Sequence, residues 1–430
     1  MINPLSQRFL LPVFALIVAL LTSVGCFAQT VSDFELPNGE VIPVYRSAVP
    51  DSESPVILWL PPHRGIQSPL FEVTKALSQL GIEVWLADLH LAYMVDANRL
   101  SVNQFPAADI AALIDLIHQE TDREVIVVAM NRGAKNALEG VYYLQVSELP
   151  MSVRGVILFS PALTEPSFYP GQIAHYKSIA TLTNVPVFVI QAGISTRRWR
   201  VNELVDVLGT GGSQVFLQVL NGINSGYLQR PEDDLTDKDL RERAEAPSRI
   251  EKVIKLMLNL QVPQQPVAER VLHDKIANPT DRYGLKPLQG RIPSQLNLPD
   301  LAGASVSLEN FKGKTILVSF WASWCEPCIR ELPALNRLQK EYSERGLVVV
   351  AVNVGESRQA IEEAVEKYSM HGYVLLQDLN GEEMKRWNVY GFPTNFVINH
   401  NGTYSFGSFG AVEWDEVSVR KQIDSIQQEL

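Results

Sequence analysis

The chain has 430 residues, 46% of them hydrophobic and 20% charged, with 26 Gly, 26 Pro and three Cys. That length accommodates two or three domains with separate cores, and the apolar fraction excludes a disordered or fibrous chain. A net charge of −11 argues against a sequence-independent grip on nucleic-acid phosphates, and three cysteines are too few for a disulfide-stapled scaffold and leave one unpaired.

Residues 9–21 (FLLPVFALIVALL) carry no charge and follow a short head containing Arg8. These thirteen residues fall short of a ~30 Å hydrocarbon core. The pattern therefore reads as an export signal over residues 1–28. Two processing sites compete. Cys26-Phe27-Ala28 offers small residues for a cut before Gln29, whereas Thr22–Cys26 loosely matches a lipoprotein box that would leave Cys26 lipidated, with Ser23 where a Leu is usual. An uncleaved anchor is the third option, and all three export the chain.

Residues 29–260 alternate short apolar runs with amphipathic stretches. A hairpin is expected over Phe34–Tyr45 around Asn38-Gly39. The runs Val56–Leu60, Ile82–Ala87, Glu124–Met130, Gly155–Phe159, Val185–Ile190 and Gln214–Leu220 are largely apolar on both faces, as in strands of a buried parallel sheet. Helices are expected over Leu70–Leu80, Ala107–Gln119, Ala134–Leu144, Arg198–Leu208 and Asp239–Leu260. Such alternation predicts an α/β doubly wound domain. Pro231–Asp239 (PEDDLTDKD) lacks the Gly and terminal Glu of a calcium loop and reads as a solvated acidic loop. Residues 261–290, rich in Pro and Gln, read as a linker. A second, smaller α/β domain is expected over 291–430, with Asn401-Gly402 as a hairpin turn.

The chemistry concentrates in this second domain. The strand Thr315–Ala322 runs into Ser323-Trp324-Cys325-Glu326-Pro327-Cys328 and a helix. A cysteine at a helix start meets unpaired N–H groups and the positive dipole end, which favour its thiolate. Cys325 is therefore the expected attacking thiolate and Cys328, one turn on, the resolving partner. Glu326 adds negative charge that opposes the dipole and leans towards a reductant. A zinc site would need a second Cys or His pair, but His371 and His400 are isolated and no Cys follows. No metal and no cofactor are implied.

Together, Trp324-Cys325-Glu326-Pro327-Cys328 after an apolar strand, Pro333 in the following helix, and Gly391-Phe392-Pro393-Thr394 before the strand NFVI resemble the thioredoxin fold. More narrowly, LNLPDLAGASVSLENFKGKTILVSFWASWCEPC resembles the exported thioredoxin-like reductases of the TlpA/ResA type. The resemblance spans about 295–425. It implies a redox-active Cys325–Cys328 disulfide, Pro393 as the cis-proline beside it, and substrate contacts from Trp324, Phe392 and Thr394. It also implies that Glu331 tunes the thiols or relays protons, although six residues past Cys325 it leaves the thiol face of the helix and can equally be a solvated glutamate. Ala322 stands where related thiol peroxidases carry a Thr, so disulfide exchange is favoured over peroxide chemistry. The C-x-x-C spacing also excludes a copper-chaperone C-x-x-x-C reading.

The first domain resembles an α/β-hydrolase less specifically. Ala129-Met130-Asn131-Arg132-Gly133-Ala134 after a strand has the form of a nucleophile elbow, with Asn131 in place of the nucleophile. Ser195 stands near the expected acid, Ser225 in the expected histidine slot, and Pro61–Gly65 in place of the oxyanion loop, with Arg64 inserted. Three simultaneous replacements imply a non-catalytic binding or docking module. His63, His90 and His175 show no partner that would make one a displaced base. The expected function is thus an exported thiol-disulfide oxidoreductase that serves disulfide-bearing exported proteins and draws electrons from a membrane thiol-reducing partner. The alternatives are a binding protein whose first domain recognises an unknown ligand, or an esterase using Ser160.

Overall fold

The computed structural model describes residues 29–49, 52–165, 170–267, 284–288 and 292–427, so the expected export signal and Cys26 lie outside the described residues. In chain order the first domain comprises β1 (Gln29–Glu35), β2 (Val41–Ser47), β3 (Val56–Leu60), α1 (Ser68–Gln79), β4 (Val84–Ala87), α2 (Leu89–Ala92), α3 (Ala107–Thr121), β5 (Val125–Met130), α4 (Gly133–Val146), β6 (Val153–Phe159), α5 (Ser178–Leu182), β7 (Val187–Ile194), α6 (Val201–Thr210), β8 (Val215–Asn224) and α7 (Asp237–Met257). The β1–β2 hairpin closes on Asn38-Gly39, where Glu40 N donates to Asn38 Oδ1 at 3.1 Å. One eight-stranded sheet runs β1-β2-β4-β3-β5-β6-β7-β8; β2 pairs antiparallel with β4, and the pairs from β4 to β8 are parallel.

Side-chain alternation explains the layering. Along β3 and β5 every residue is buried because both sheet faces are covered. Leu58, Leu60, Val127 and Ala129 pack with α3, α4, α5 and α6, whereas Ile57, Trp59, Ile126 and Val128 pack with α1 and α7. The edge strand β8 departs from the sequence expectation. Val215–Val219 are only half-buried, since β8 has a paired neighbour on one side alone. The acidic stretch Pro231–Asp239 also differs from a wholly solvated loop. Its last residue, Asp239, is buried, and it forms a capping box with Thr236 at the start of α7.

The second domain comprises β9 (Lys286–Pro287), β10 (Asn297–Pro299), β11 (Ser305–Ser307), β12 (Thr315–Trp321), α8 (Glu326–Tyr342), β13 (Leu347–Val354), α9 (Arg358–Lys367), β14 (Val374–Asp378), α10 (Glu382–Arg386), β15 (Thr394–Ile398), β16 (Tyr404–Phe409) and α11 (Val417–Gln427). Its six-stranded sheet runs β14-β13-β12-β15-β16-β9, with β12, β13 and β14 parallel and β15, β16 and β9 antiparallel to their neighbours. This is a thioredoxin-like arrangement. Leu317, Trp321, Val349 and Val397 pack under α8 and α11, while Val318, Phe320, Val352 and Phe396 form the opposite layer with Trp387. β9 lies inside the stretch read as linker, yet it extends the second sheet, because Leu285 and Leu288 flanking it are buried in that domain's two cores.

The two domains touch. Instead of one helix over Arg198–Leu208, a tight turn at Thr196–Arg200 precedes α6 and sends Trp199 out against the second domain's core. A methyl group at Gly355 would lie 2.2 Å from the Trp199 ring and one at Gly381 2.7 Å from it, so only glycine admits the indole there. Alongside, Arg200 donates to Lys385 O at 3.0 Å and lies 4.2 Å over the Tyr390 ring, and Tyr390 Oη accepts from Ala174 N at 3.0 Å.

Candidate functional site

β12 ends at Trp321, and its chain continues directly into Cys325, the N-cap of α8, where Sγ accepts from Cys328 N at 3.3 Å. Pro327 falls in the first turn, where a missing N–H is harmless. Cys325 and Cys328 are joined by a disulfide with S–S 2.07 Å and Cα–Cα 5.3 Å. Both sulfur residues are buried, Cys325 at 5% exposure and Cys328 at 1%. The outer partner is the one placed at the dipole end.

A loop from another part of the chain faces this turn. β15 pairs with β12 so that Thr394 lies opposite Phe320, which brings the cis Phe392–Pro393 bond to the end of β12. Trp324 and Phe392 face each other with ring centroids 5.8 Å apart, both half-buried. Among the described residues no hydrogen bond engages the Phe392 backbone, and Gly391 borders open space. Thr394 differs from its expected role. It is fully buried and donates from Oγ1 to Gly391 O at 2.8 Å, so its side chain orients the loop and is not offered to a substrate.

Glu331 is not a solvated helix residue. It is 5% exposed, and Oε2 accepts from Val412 N at 2.9 Å. Burial pushes its carboxyl up to about 8, against the opposing influence of the Val412 N–H and the nearby Asn395 and Trp414 side chains. Glu331 therefore keeps its proton at neutral pH. Glu326, in contrast, is exposed and pairs with Arg330 at 2.6 Å, so solvent and a counter-charge mute its effect on the thiols.

One contributor carried no sequence signal. Glu356, in the β13–α9 loop, accepts from Ser323 N at 2.7 Å, from the Ser323 hydroxyl, and from Asn353 Nδ2 at 2.6 Å. It anchors the turn that presents Trp324 and Cys325. Nothing in its local sequence distinguishes it from a surface glutamate; only the parallel pairing of β12 with β13 brings it there.

In the first domain, Asn131 ends β5 in the left-handed region at φ 50°, and α4 begins at Gly133. A methyl group at Gly133 would approach Pro61 O at 2.7 Å, so the elbow is tightly packed on the β3 loop. Neither Ser195 nor Ser225, the residues at the expected acid and histidine positions, is a hydrogen-bond partner of Asn131 among the described residues. Ser195 Oγ accepts from Arg197 N at 3.3 Å, and Ser225 N donates to Ile194 O at 3.2 Å, which ties both to the ends of β7 and β8. Arg197 reaches Asn131 instead, donating to Oδ1 at 3.2 Å. Ser160 is buried with Oγ accepting from Ala192 N at 3.0 Å, and no histidine is among its partners. His90 is bonded to Ser101 at 2.9 Å. Among the described residues no cluster of His, Cys, Asp or Glu is arranged to hold a metal ion.

The AhpC/TSA family model matches residues 289–405. The thiol-disulfide oxidoreductase ResA of Bacillus thuringiensis subsp. konkukian is 36% identical over 103 residues, covering 24% of this chain and 59% of that protein. The chain thus spans less than two thirds of that relative. ResA of Geobacillus thermodenitrificans is 34% identical over 130 residues, 30% of this chain and 73% of that protein. A solved thiol-disulfide oxidoreductase from Bacteroides fragilis is 23% identical with a TM-score of 0.29, covering 31% of this chain and 98% of that one. Through its second domain the chain belongs to the AhpC/TSA family of thioredoxin-fold proteins, alongside the ResA thiol-disulfide oxidoreductases.

Proposed function

We propose that the protein is an exported thiol-disulfide oxidoreductase that reduces disulfides in other exported proteins. The observation that carries this reading is the Cys325–Cys328 pair at the N-terminus of α8, facing an unpaired loop backbone at Phe392. In the reduced protein the Cys325 thiolate attacks one sulfur of a substrate disulfide. A mixed disulfide forms and one substrate thiolate leaves. The Cys328 thiolate then attacks Cys325 Sγ, which releases the second substrate thiol and regenerates the intramolecular disulfide. Two electrons pass to the substrate, and a membrane thiol-reducing partner must restore the dithiol. Pro393 shapes the loop beside the thiols, the Phe392 backbone pairs with the substrate chain, and Trp324 with the Phe392 ring forms the apolar rim. Glu331, protonated at neutral pH, holds a proton behind the thiols that leaving thiolates can draw on.

The export reading rests on residues 9–21 and on the small residues that follow, with Cys26 either removed or lipidated. Among the described residues no helix is long and apolar enough to cross a membrane. The first domain is read as a hydrolase-like fold that has lost its chemistry and serves for binding. Its strand order and the left-handed Asn131 elbow support this.

The test is turnover of insulin reduction with dithiothreitol as donor. Cys325→Ser should lower the rate to the uncatalysed background, and Cys328→Ser should accumulate a mixed disulfide visible on non-reducing gels. Equal rates for wild type and Cys325→Ser would remove the proposal.

A further inference from the structure

Four loops meet at the carboxyl end of the first sheet, the place where open parallel sheets hold ligands. They follow β3, β4, β5 and β7. His63 O accepts from Ser101 Oγ at 3.4 Å, which joins the first two loops. Gly133 packs on Pro61, which adds the elbow, and the Arg197–Asn131 bond of 3.2 Å adds the fourth. Each loop contributes an arginine: Arg64, Arg99, Arg132 and Arg197. All four act on His63, which burial and then this positive field push down to about 3. The imidazole is therefore neutral at pH 7, with a buried Nδ1 that has no hydrogen-bond partner.

This gathering is unusual for the chain. Its net charge is −11, and elsewhere Arg46, Arg123, Arg154 and Arg249 each pair with a glutamate. Among the described residues, Arg64, Arg99 and Arg197 have no carboxylate within ion-pairing distance. Arg197, held below its ordinary pKa by burial and then by Arg99, has Asn131 as its side-chain hydrogen-bond partner. Like charges collected around a partly buried guanidinium repel one another unless an anion joins them. The cations also run from inside to outside: Arg132 and Arg197 are half-buried, while Arg64 and Arg99 are exposed. The positive end of α4 adds to the same field. A guanidinium presents a planar fork of donors that matches carboxylate and phosphate oxygens.

We propose that Arg64, Arg99 and Arg197, gathered beside His63 with Arg197 held by Asn131, bind a small, multiply charged oxyanion at the elbow of the first domain. Asn131 removes the reactive group and supplies a neutral acceptor that holds the Arg197 fork in place. The ligand is held, not cleaved. Its oxyanion is a phosphate ester or a di- or tricarboxylate, and the assignment is independent of the thiol chemistry.

The experiment is isothermal titration of the full chain with inorganic phosphate and, separately, with citrate, using sodium chloride at matched ionic strength as control. Saturable binding of phosphate alone points to a phosphorylated ligand, of citrate alone to a polycarboxylate. Arg197→Gln, and separately the exposed pair Arg64→Gln/Arg99→Gln, should each weaken binding about tenfold or more. The exposed pair should leave the ligand-free melting temperature unchanged, so that its loss of binding is not a loss of fold. No saturable heat from either anion up to about 10 mM, or full affinity in the exposed double variant, overturns the proposal.

Discussion

At the scale of single residues, the site depends on where a carboxyl is placed. Glu331 is buried among α8, the segment at Val412 and β15, and its pKa is raised from 4.5 to about 8. In the unfolded chain this carboxyl ionises near its ordinary value, while in the folded protein it stays protonated. Between those two values the unfolded state binds fewer protons, so stability falls as pH rises from about 4.5 to about 8 and is level outside that window. Glu331→Gln keeps an oxygen for the Val412 N–H and removes the ionisation. Denaturation of the oxidised protein at pH 5 and pH 8.5 should therefore show a wild-type loss that the variant lacks. It amounts to a few kcal/mol, at about 1.4 kcal/mol for each pH unit between the two pKa values. Parallel behaviour of the two proteins would show that Glu331 ionises normally in the fold. From the sequence alone Glu331 could equally be a solvated helix residue, because its burial is imposed by residues some eighty positions away.

At the scale of elements, the sheet carries its own ion-pair clamp. Glu83, just before β4, is 2% exposed; its Oε1 accepts from Arg46 Nε of β2 at 2.6 Å and from Trp85 Nε1 at 2.8 Å, and Arg123 ahead of β5 meets its Oε2. Burial alone would raise this carboxyl, but Trp85, Arg123 and Arg46 hold it below its ordinary value. Glu83→Ala leaves the Arg123 guanidinium without its carboxylate, with only the Ser52 and Ser54 carbonyls to meet it, and the indole without its acceptor, and should cost about 3–5 kcal/mol, read as a lower urea midpoint. A loss under about 1 kcal/mol would mean that water replaces the carboxylate. The elements themselves were largely legible. β3 and β5 read as buried strands because a β-branched apolar run suits a sheet covered on both faces, and the structure covers them. β8 reads the same way from the largely apolar run Gln214–Leu220, but it lies at the sheet edge.

At the scale of the whole molecule, the turn Thr196–Arg200 links the two domains. Arg197 points to the Asn131 elbow, and Trp199 and Arg200 grip the second domain close to the Phe392 loop. Removing the indole by Trp199→Ala should loosen this contact and speed tryptic cleavage within residues 261–290, which contain Arg270, Lys275 and Arg282 as cleavable sites. Gly355→Ala should act alike, because a methyl group there would displace the same ring. Insulin reduction should persist in both, since neither residue touches the thiols. Unchanged cleavage in both variants would mean that the domains are held by other contacts.

The sequence by itself determined the α/β class of both domains, the thioredoxin-like character of the second, and the two cysteines at one helix start. These are local properties: apolar periodicity, turn residues, and a thiol next to unpaired N–H groups. It also placed Asn131 at a strand-to-helix turn of the form that resembles a nucleophile elbow. Tertiary structure decided which charges are buried. It made Glu331 a protonated interior acid, Thr394 a support for the Phe392 loop, and Glu356 the anchor of the cysteine turn. It also gave Asn131 Arg197 as a partner in place of the expected serines, and brought Arg64, Arg99, Arg132 and Arg197 from four loops to act on His63. For Glu331, Glu356 and Arg197 the deciding contacts join distant segments, with Val412, Ser323 and Asn131, and no short window of the chain contains both partners.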